Sequence, residues 1–460
     1  MAPETPDSLD KDDLRLLVLE LLGQIEALVE QNTTLLARIA ELEARAGQPP
    51  KTPANSSVPP SKGQKANGLA APAAKKGRKG RPGVARVLCP DPDHTREIYA
   101  EACSCGAALA PADQPDVHAY DHIDLPPIKP VTTRIHIHKG HCPRCRRRVT
   151  AKPPADMAPG SPFGSNVVSV VTYLHACQMV SYSRLTEVMG GLLGLKLSEG
   201  AVANLLRRAA RPFADAADNI AQIVRSSPVI ASDETSARVA GRTWWQWVFA
   251  STAAVYHMIV PMRGKVVPVE FLGGAKPQVW ISDRLAAQAN HALAHQVCLA
   301  HLIRDAQYAI DAGDTIFAPA FKSFLQRACA IGRRRPDLAD ATINAYAREL
   351  GRERDRVLRL PATVTAGAQL RASVSVGARS KLLVFMTRRD VEPTNNVSEQ
   401  ALRMSVIFRR VTNGFRSVWG AESYADIRSI VATGQLHGRS PLSSIRAALV
   451  APSAPKAAPA

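Results

Sequence analysis

Leu14, Leu21, Leu28, Leu35 and Leu42 recur every seven residues, and Val18, Ile25, Asn32 and Ile39 fill the alternate seam position. Residues 14–46 therefore predict a leucine-zipper-like coiled coil. Leu22, Val29 and Leu36 widen the stripe without changing its period. Asn32 would be buried without a partner in a staggered or antiparallel alignment, so it favours an in-register parallel homodimer, or a higher assembly built from one. Arg38 and Glu43 flank the seam at positions suited to an interchain ion pair. The same stripe also fits an amphipathic helix packed on its own domain.

The period vanishes over residues 47–86, which are rich in Pro, Ala, Gly and Ser and read as a flexible linker. A small Cys- and His-bearing region follows at 87–150, then a predominantly helical stretch at 160–226. Within it, LTEVMGGLLGLKLSEGAVANLLRRAA has two apolar helical patterns around a Gly-containing turn, with Ser198 as cap of the second. That pattern fits a helix-turn-helix, and packing alone explains it equally well. From 227 the period changes to two: three short strands rich in Val, Ile, Trp and Phe, the helix candidate KVVPVEFLGG, and the apolar strand PQVWISDRLAA. HQVCLAHLIRDAQYAI reads as strand then helix, residues of about 312–385 look helical, and the pattern closes near 438. The Ala- and Pro-rich residues 439–460 predict a frayed C-terminal tail.

Charge changes the picture. Lys and Arg number 58 against 40 Asp and Glu, a net +18, and nine of those cations with no acid lie in 47–86. A polyanion is the partner this implies. The densest part, KKGRKGRPG at 75–83, suits nonspecific phosphate contact or an AT-rich minor groove. No run of apolar residues is long enough to span a bilayer, and the acidic start MAPETPDSLDKDD does not read as a signal peptide. The expectation is a cytoplasmic, nucleoid-associated protein with no membrane partner.

Eight Cys are too few for a disulfide scaffold in a chain of 460 residues. Cys142 and Cys145 have the CPRC spacing that lets two thiolates from one turn reach a tetrahedral Zn(II), and Cys103 and Cys105 supply a tighter pair. Cys89, His138 or His141 can substitute for one of the four. A closed four-ligand site is structural, so this module predicts Zn2+ without chemistry. Arg144, Arg146, Arg147 and Arg148 beside the second pair suit phosphate contact.

The carboxylates carry the chemistry. Asp233 is expected at the end of the first strand and Asp283 at the end of the fourth. Three antiparallel strands, a helix and a strand suit a ribonuclease-H-like mixed sheet in which the first and fourth strands are neighbours. Two carboxylates at adjacent strand ends can share metal ions. Arg284 is expected on the opposite face from Asp283 if that strand continues. After Pro393, with Asn396 as N-cap, a helix puts Glu399 on one stripe with Leu402 and Val406. A carboxylate on an apolar stripe needs a cation to receive it. Each acid has an ordinary explanation: a turn Asp, or a Glu399 that closes a capping box or pairs with Arg403. Three together read as a metal-binding triad. Trp245 and Trp247 share one face of the second strand, where core packing is their expected role.

The motifs SDETSARVAGRTWWQWV, ISDR, CLAHLIRD and EPTNNVSEQALR, in this order, resemble transposases of the insertion sequence 66 family, a DDE-type group. The likeness extends to the leucine-rich N-terminal helix, NSSVPPS at 55–61, the zinc-binding segment and FRSVWGAESYADIRSIVATGQLHGRSPLSSI. It implies a multidomain α+β chain: coiled coil 14–46, basic linker 47–86, zinc-binding module 87–150, helical region 160–226, and a ribonuclease-H-like α/β catalytic domain 227–438 with a helical insertion. It implies Asp233, Asp283 and Glu399 as the catalytic triad, holding two Mg2+ (or Mn2+) ions. Cleavage at element ends and strand transfer into target DNA would follow, with accessory proteins of the same element as further partners. Gly-Tyr is usual in the family where this chain has Arg284 and Leu285, Arg where it has Gln400, and CxxC where it has CSC. Cys298 and His301 resemble a CxxH pattern, which puts His301 beside the site as a supporting or DNA-contacting residue. Arg403, Arg409, Arg410 and Arg416 are further candidates for holding phosphates. A noncatalytic, zinc-containing dimeric DNA-binding protein derived from a transposase is the alternative, and a nuclease without joining activity is a nearer one.

Overall fold

The computed structural model describes residues 10–46, 48–56, 86–157 and 159–450. The basic run at 75–83, residues 57–61 of NSSVPPS and the last ten residues lie outside them. Helix α1 (Lys11–Ala46) is continuous, and its described apolar residues, Val18, Leu21, Ile25, Leu28 and Leu35 among them, are exposed. Among the described residues, this 36-residue helix leaves its apolar stripe uncovered.

The chain divides into two compact units, residues 65–153 with 183–199, and residues 1–64 with 154–182 and 200–460. In the smaller unit, strands β1 (Lys139–His141) and β2 (Arg148–Thr150) form an antiparallel hairpin around Cys142 and Cys145. The larger unit continues with α2 (Ser165–Thr172). Helix α3 (Tyr182–Leu193), which from Ser183 on belongs to the smaller unit, ends at Gly194, whose φ of +62° suits the left-handed position after a helix. Helix α4 (Glu199–Arg225) buries Val202, Leu205, Leu206, Ala209, Phe213, Ala217 and Val224, a three- and four-residue spacing that makes one apolar face.

The sheet is mixed and five-stranded: β3 (Val229–Val239), β4 (Arg242–Ala250), β5 (Val255–Val260), β6 (Val279–Ser282) and β7 (Ala294–Val297), in the order β5-β4-β3-β6-β7, with α5 (Val266–Leu272) between β5 and β6. β3 pairs antiparallel with β4 and parallel with β6, so the first and fourth strands are neighbours. β3 is longer than the sequence suggests. Asp233 does not end it, because the β4 ladder runs on to Val239↔Arg242, closed by a tight turn at Ala240 and Gly241 that both have positive φ. The parallel ladder with β6 does stop at Ala231↔Ile281. Asp233 thus sits where β3 loses one neighbour and keeps the other.

Each face of the sheet buries a separate cluster. Val229, Ala231, Val248, Ile281 and Val297 pack under α6 (Leu299–Asp311) and α7 (Phe317–Arg334). Ile230, Trp247, Phe249 and Trp280 pack on the other side with Phe271 of α5, whose ring stacks on Phe249 at 3.9 Å between centroids. Trp247 is fully buried, and its indole N–H donates to the carbonyl of Met262, so it is a core residue. Helices α8 (Asp340–Arg359) and α9 (Thr365–Ser373) follow α7, then short helical turns to Met386.

Helix α10 (Asn396–Thr412) is followed by α11 (Val418–Leu436) and α12 (Pro441–Val450). Residues 441–450 are therefore an ordered helix, and the frayed tail expected from 439 is corrected. Ser440 accepts the N–H of Ser443 at 3.1 Å, Pro441 opens the helix, and Ile445 is fully buried. Ala and Pro content hid a start signal that was present in the sequence.

Candidate functional site

Register decides which face each acid takes. Asp233 lies opposite Val248 and in phase with Val229 and Ala231, all in the cluster beneath α6 and α7. Asp283 follows β6 directly and is in phase with Val279 and Ile281 of that same cluster. Counted from Ala231↔Ile281, each Asp is two residues on, so parallel pairing delivers both to one end of neighbouring strands about 4.8 Å apart. Asp283 Oδ1 accepts the N–H of Leu285 at 2.9 Å, and Asp233 Oδ1 accepts the N–H of Glu234 at 2.9 Å.

Glu399 reaches this place because α10 is laid along β3 by three attachments. Asn395, completely buried just before the helix, donates from Nδ2 to the carbonyl of Ser232 at 2.8 Å. Arg409 donates to the hydroxyls of Thr235 and Ser236 at 3.3 and 3.2 Å. Beyond the helix, Phe415 N–H donates to Arg238 at 2.7 Å, and Ala240 N–H donates to Phe415 at 2.9 Å. Gly414 makes that crossing possible: a Cβ there would come within 2.5 Å of the Arg238 carbonyl. Seventeen helical residues rise roughly 25 Å and eight strand residues roughly 26 Å, so the two elements match in length.

The expected cap is corrected by one residue. Asn395, not Asn396, precedes the helix, and its side chain makes no cap bond, because it is spent on Ser232. No capping box forms through Glu399, and Arg403 is not its partner. Glu399 Oε1 lies 3.5 Å from His301 Nδ1 and 3.7 Å from an Arg304 terminal nitrogen, both on α6. The cation that a carboxylate on the apolar stripe required is Arg304. Glu399 Oε1, His301 Nδ1 and Arg304 Nε have no close hydrogen-bond partner.

The electrostatics tie the acids together. The Asp233 carboxyl is pushed well above the usual range, first by burial, then by the charges of Glu234 and Asp283, and further by Glu399. His301 is held below the ordinary imidazole value by burial and Arg304, while Glu399 and Asp283 pull the other way. Asp283 and Glu399 are thus within electrostatic reach of Asp233, although the carboxylate oxygens of the three acids do not all lie within 4.8 Å of one another. Cys298, three residues before His301, accepts the N–H of Asn395 at Sγ (3.2 Å), and burial pushes its thiol up to about 11.

Glu234 was not singled out in the sequence. It points to the opposite face from Asp233, is buried, and accepts from Arg263 at 2.8 Å and from Gln288 at 2.9 Å. Burial and the Asp283 charge raise its pKa. Arg263 in turn lies over the Trp245 ring, 4.4 Å from its centroid. Adjacency to Asp233 was the available signal. Arg304 was missed as well, although its place one turn after His301 was legible.

The condition on which Arg284 was expected to face away from Asp283 is not met. β6 stops at Ser282, so Arg284 has no strand face. It leaves the loop to pair with Asp305 of α6 at 2.5 Å and to donate to Ser373 of α9 at 2.6 Å. Arg403, Arg410 and Arg416 are exposed, whereas Arg409 is half-buried against β3.

In the smaller unit each cysteine pair forms a turn. Gly106 N–H donates to Cys103 and Arg146 N–H donates to Cys142, both at 2.9 Å, and Gly106 and Arg146 have positive φ. Hydrogen bonds from Cys105 lower the Cys103 pKa, and hydrogen bonds from Cys145 and Arg144 lower that of Cys142. The four sulfurs are not gathered into one cluster. Among the described residues, the group of three or more candidate ligand atoms mutually within 4.8 Å is Cys298, His301 and Glu399.

Residues 160–423 match the family model described as Transposase IS66 family, which is more than half of the chain. The chain belongs to that family. No curated protein matches it. Among solved structures, the Mos1 strand transfer complex shares 12% identity, with 32% of this chain and 60% of that chain covered and a TM-score of 0.12. A likeness of that size carries no argument about this site. No helix among the described residues is long and apolar enough to cross a membrane.

Proposed function

We propose that this chain is a metal-dependent DNA transposase of the DDE type, with Asp233, Asp283 and Glu399 as its catalytic acids. The observation that carries the reading is the placement of the three acids at one end of the mixed sheet: Asp233 and Asp283 each lie two residues beyond the paired Ala231 and Ile281, and α10, which carries Glu399, is fastened to β3 beside them by Asn395. The strand order and the helix that brings the third acid support a ribonuclease-H-like catalytic domain.

The donor set suits a hard divalent cation. It is made of carboxylate oxygens, one of them buried without a close partner, and Asp233 resists carrying its charge alone. Bound Mg2+ or Mn2+ would supply charge neutralisation for the acids and activation of a nucleophile and a leaving oxygen. The chain's own residues do the rest. Asn395 and Arg409 fix α10 against β3 and so fix Glu399 relative to Asp233. His301 and Arg304 orient the Glu399 carboxylate from α6. The Cys298 sulfur accepts the Asn395 backbone N–H, which fixes the start of α10 against the beginning of α6.

Two further roles belong to the same reading. The exposed stripe of α1 supports a coiled-coil homodimer, and the two cysteine turns of the smaller unit offer Cys103, Cys105, Cys142 and Cys145 as thiolate donors for a structural Zn2+, although their sulfurs do not lie together in this structure. The net charge of +18 suits element-end and target DNA. The test is nicking of end-containing DNA with Mg2+ or Mn2+. Asp233→Ala is expected to abolish nicking while DNA binding persists; full cleavage by that variant overturns the assignment. Binding without any cleavage by the parent protein would favour a noncatalytic DNA-binding protein. Cut ends that never become covalently joined to a target would favour a plain nuclease.

A further inference from the structure

The first residues of the NSSVPPS motif have no part in the chemistry above, yet they are among the most constrained outside the core. Asn55 and Ser56 are buried, with 4% and 8% of their surface exposed. Asn55 uses its whole carboxamide: Oδ1 accepts the N–H of Thr52 at 2.7 Å, and Nδ2 donates to the Pro50 carbonyl at 3.1 Å and to Asp311 Oδ2 at 2.8 Å. The Ser56 hydroxyl donates to Thr52 at 2.6 Å, closing the turn.

The receiving surface is the last two turns of α6. Tyr308 donates its hydroxyl to Gln48 at 3.2 Å, and the Lys51 ammonium lies 5.8 Å from the centre of the Tyr308 ring. Asp311 is the final residue of α6, where the helix dipole disfavours an anion. Its two oxygens accept from Asn55 and from Gln307, which explains a carboxylate at that end. One helix therefore holds His301 and Arg304 at its beginning and the chain leaving α1 at its end.

We propose that residues 48–56 are a docking turn recognised in cis by Tyr308 and Asp311, and that this turn fastens the root of α1 to the helix that orients Glu399. The partner that surface fits is a Pro-rich turn presenting an Asn carboxamide. On the proposed function, on which this consequence rests, the dock sets the position of each catalytic domain relative to the coiled coil and so matters when two element ends are joined together.

Hydrogen exchange on the full-length protein tests the dock without reference to activity. Asp311→Ala leaves the turn's internal bonds intact and removes the carboxylate half of its receptor, together with the Gln307 contact on α6. Exchange of the 48–56 amides is expected to speed up about tenfold. Asn55→Asp, which sets two carboxylates against each other, should do the same, and the pair Asn55→Asp with Asp311→Asn, which restores a donor facing an acceptor, should recover most of the protection. Unchanged exchange in both single variants overturns the proposal. Protection that disappears on dilution overturns the assignment in cis, because a second copy would then fill the surface. In DNA assays, Asp311→Ala is expected to leave single-end nicking within about twofold and to lower coupled joining of two ends about tenfold. If the parent protein cuts no DNA, the transposase reading fails, and the exchange result still decides the dock.

Discussion

Removing the Asn395 carboxamide is the sharpest probe of how the third acid is placed. Asn395→Ala deletes one neutral hydrogen bond to Ser232, about 1 kcal/mol, and leaves that carbonyl without this donor in a buried place, about 1–3 kcal/mol more. It also deletes Oδ1, which is buried and unpartnered, and this returns about 1 kcal/mol. The net cost is about 1–3 kcal/mol, a fall in Tm of roughly 2–12 °C for a domain of this size. The effect on cleavage should exceed the effect on stability, because the bond sits one residue before Asp233 and four before Glu399. A displacement of about 1 Å at a reacting group costs roughly a hundredfold in rate. Thermal unfolding gives the first quantity, and single-turnover cleavage at 25 °C with saturating DNA gives the second, with binding measured separately. Asn395→Asp, which has no donor for Ser232, should be at least as damaging as the alanine variant. Cleavage by Asn395→Ala within about twofold of the parent, at unchanged DNA affinity, would refute the placement argument.

Asp426 of α11 has its pKa raised to about 7 by burial and by the charges of Asp218 and Glu422. The folded protein keeps a proton there that the unfolded chain releases near pH 4, so stability is lost as pH rises from about 4 to 7 and stays low above it. Asp426→Asn should therefore stabilise by on the order of 3 kcal/mol at pH 8 and by almost nothing at pH 4; equal shifts in Tm at the two pH values would contradict this. Arg409→Ala should lower the slope of log affinity against log salt by about one if the guanidinium holds a phosphate, and an unchanged slope would assign it to the α10–β3 contact alone. Chelation of Zn2+ should expose residues 87–150 to protease, as should Cys142→Ala with Cys145→Ala; cutting that is indifferent to both would remove the zinc assignment.

Periodicity made much of this protein legible. The heptads gave α1, the change to alternation at 227 gave the strands, and chain order made β3 and β6 neighbours, because a parallel crossover through α5 leaves few other places for the fourth strand. The strand order also put Asp233 and Asp283 on neighbouring strands, while their common register, two residues beyond Ala231↔Ile281, came from the pairing itself. The periods are local properties, fixed by side-chain size and spacing within about ten residues. The tertiary structure alone decided what meets Glu399. Arg403, four residues on in the same helix, was the nearest cation in sequence, yet His301 and Arg304 take that place, since the orientation of α10 is set by Asn395 and Arg409 against a strand some 160 residues earlier. Alternation places Arg284 only if its strand continues, and β6 ends at Ser282, where α6 and α9 offer Asp305 and Ser373 instead. Pattern determines what an element is; partners far away in sequence determine where its polar groups are satisfied, and a polar group buried without such a partner costs more than any propensity contributes.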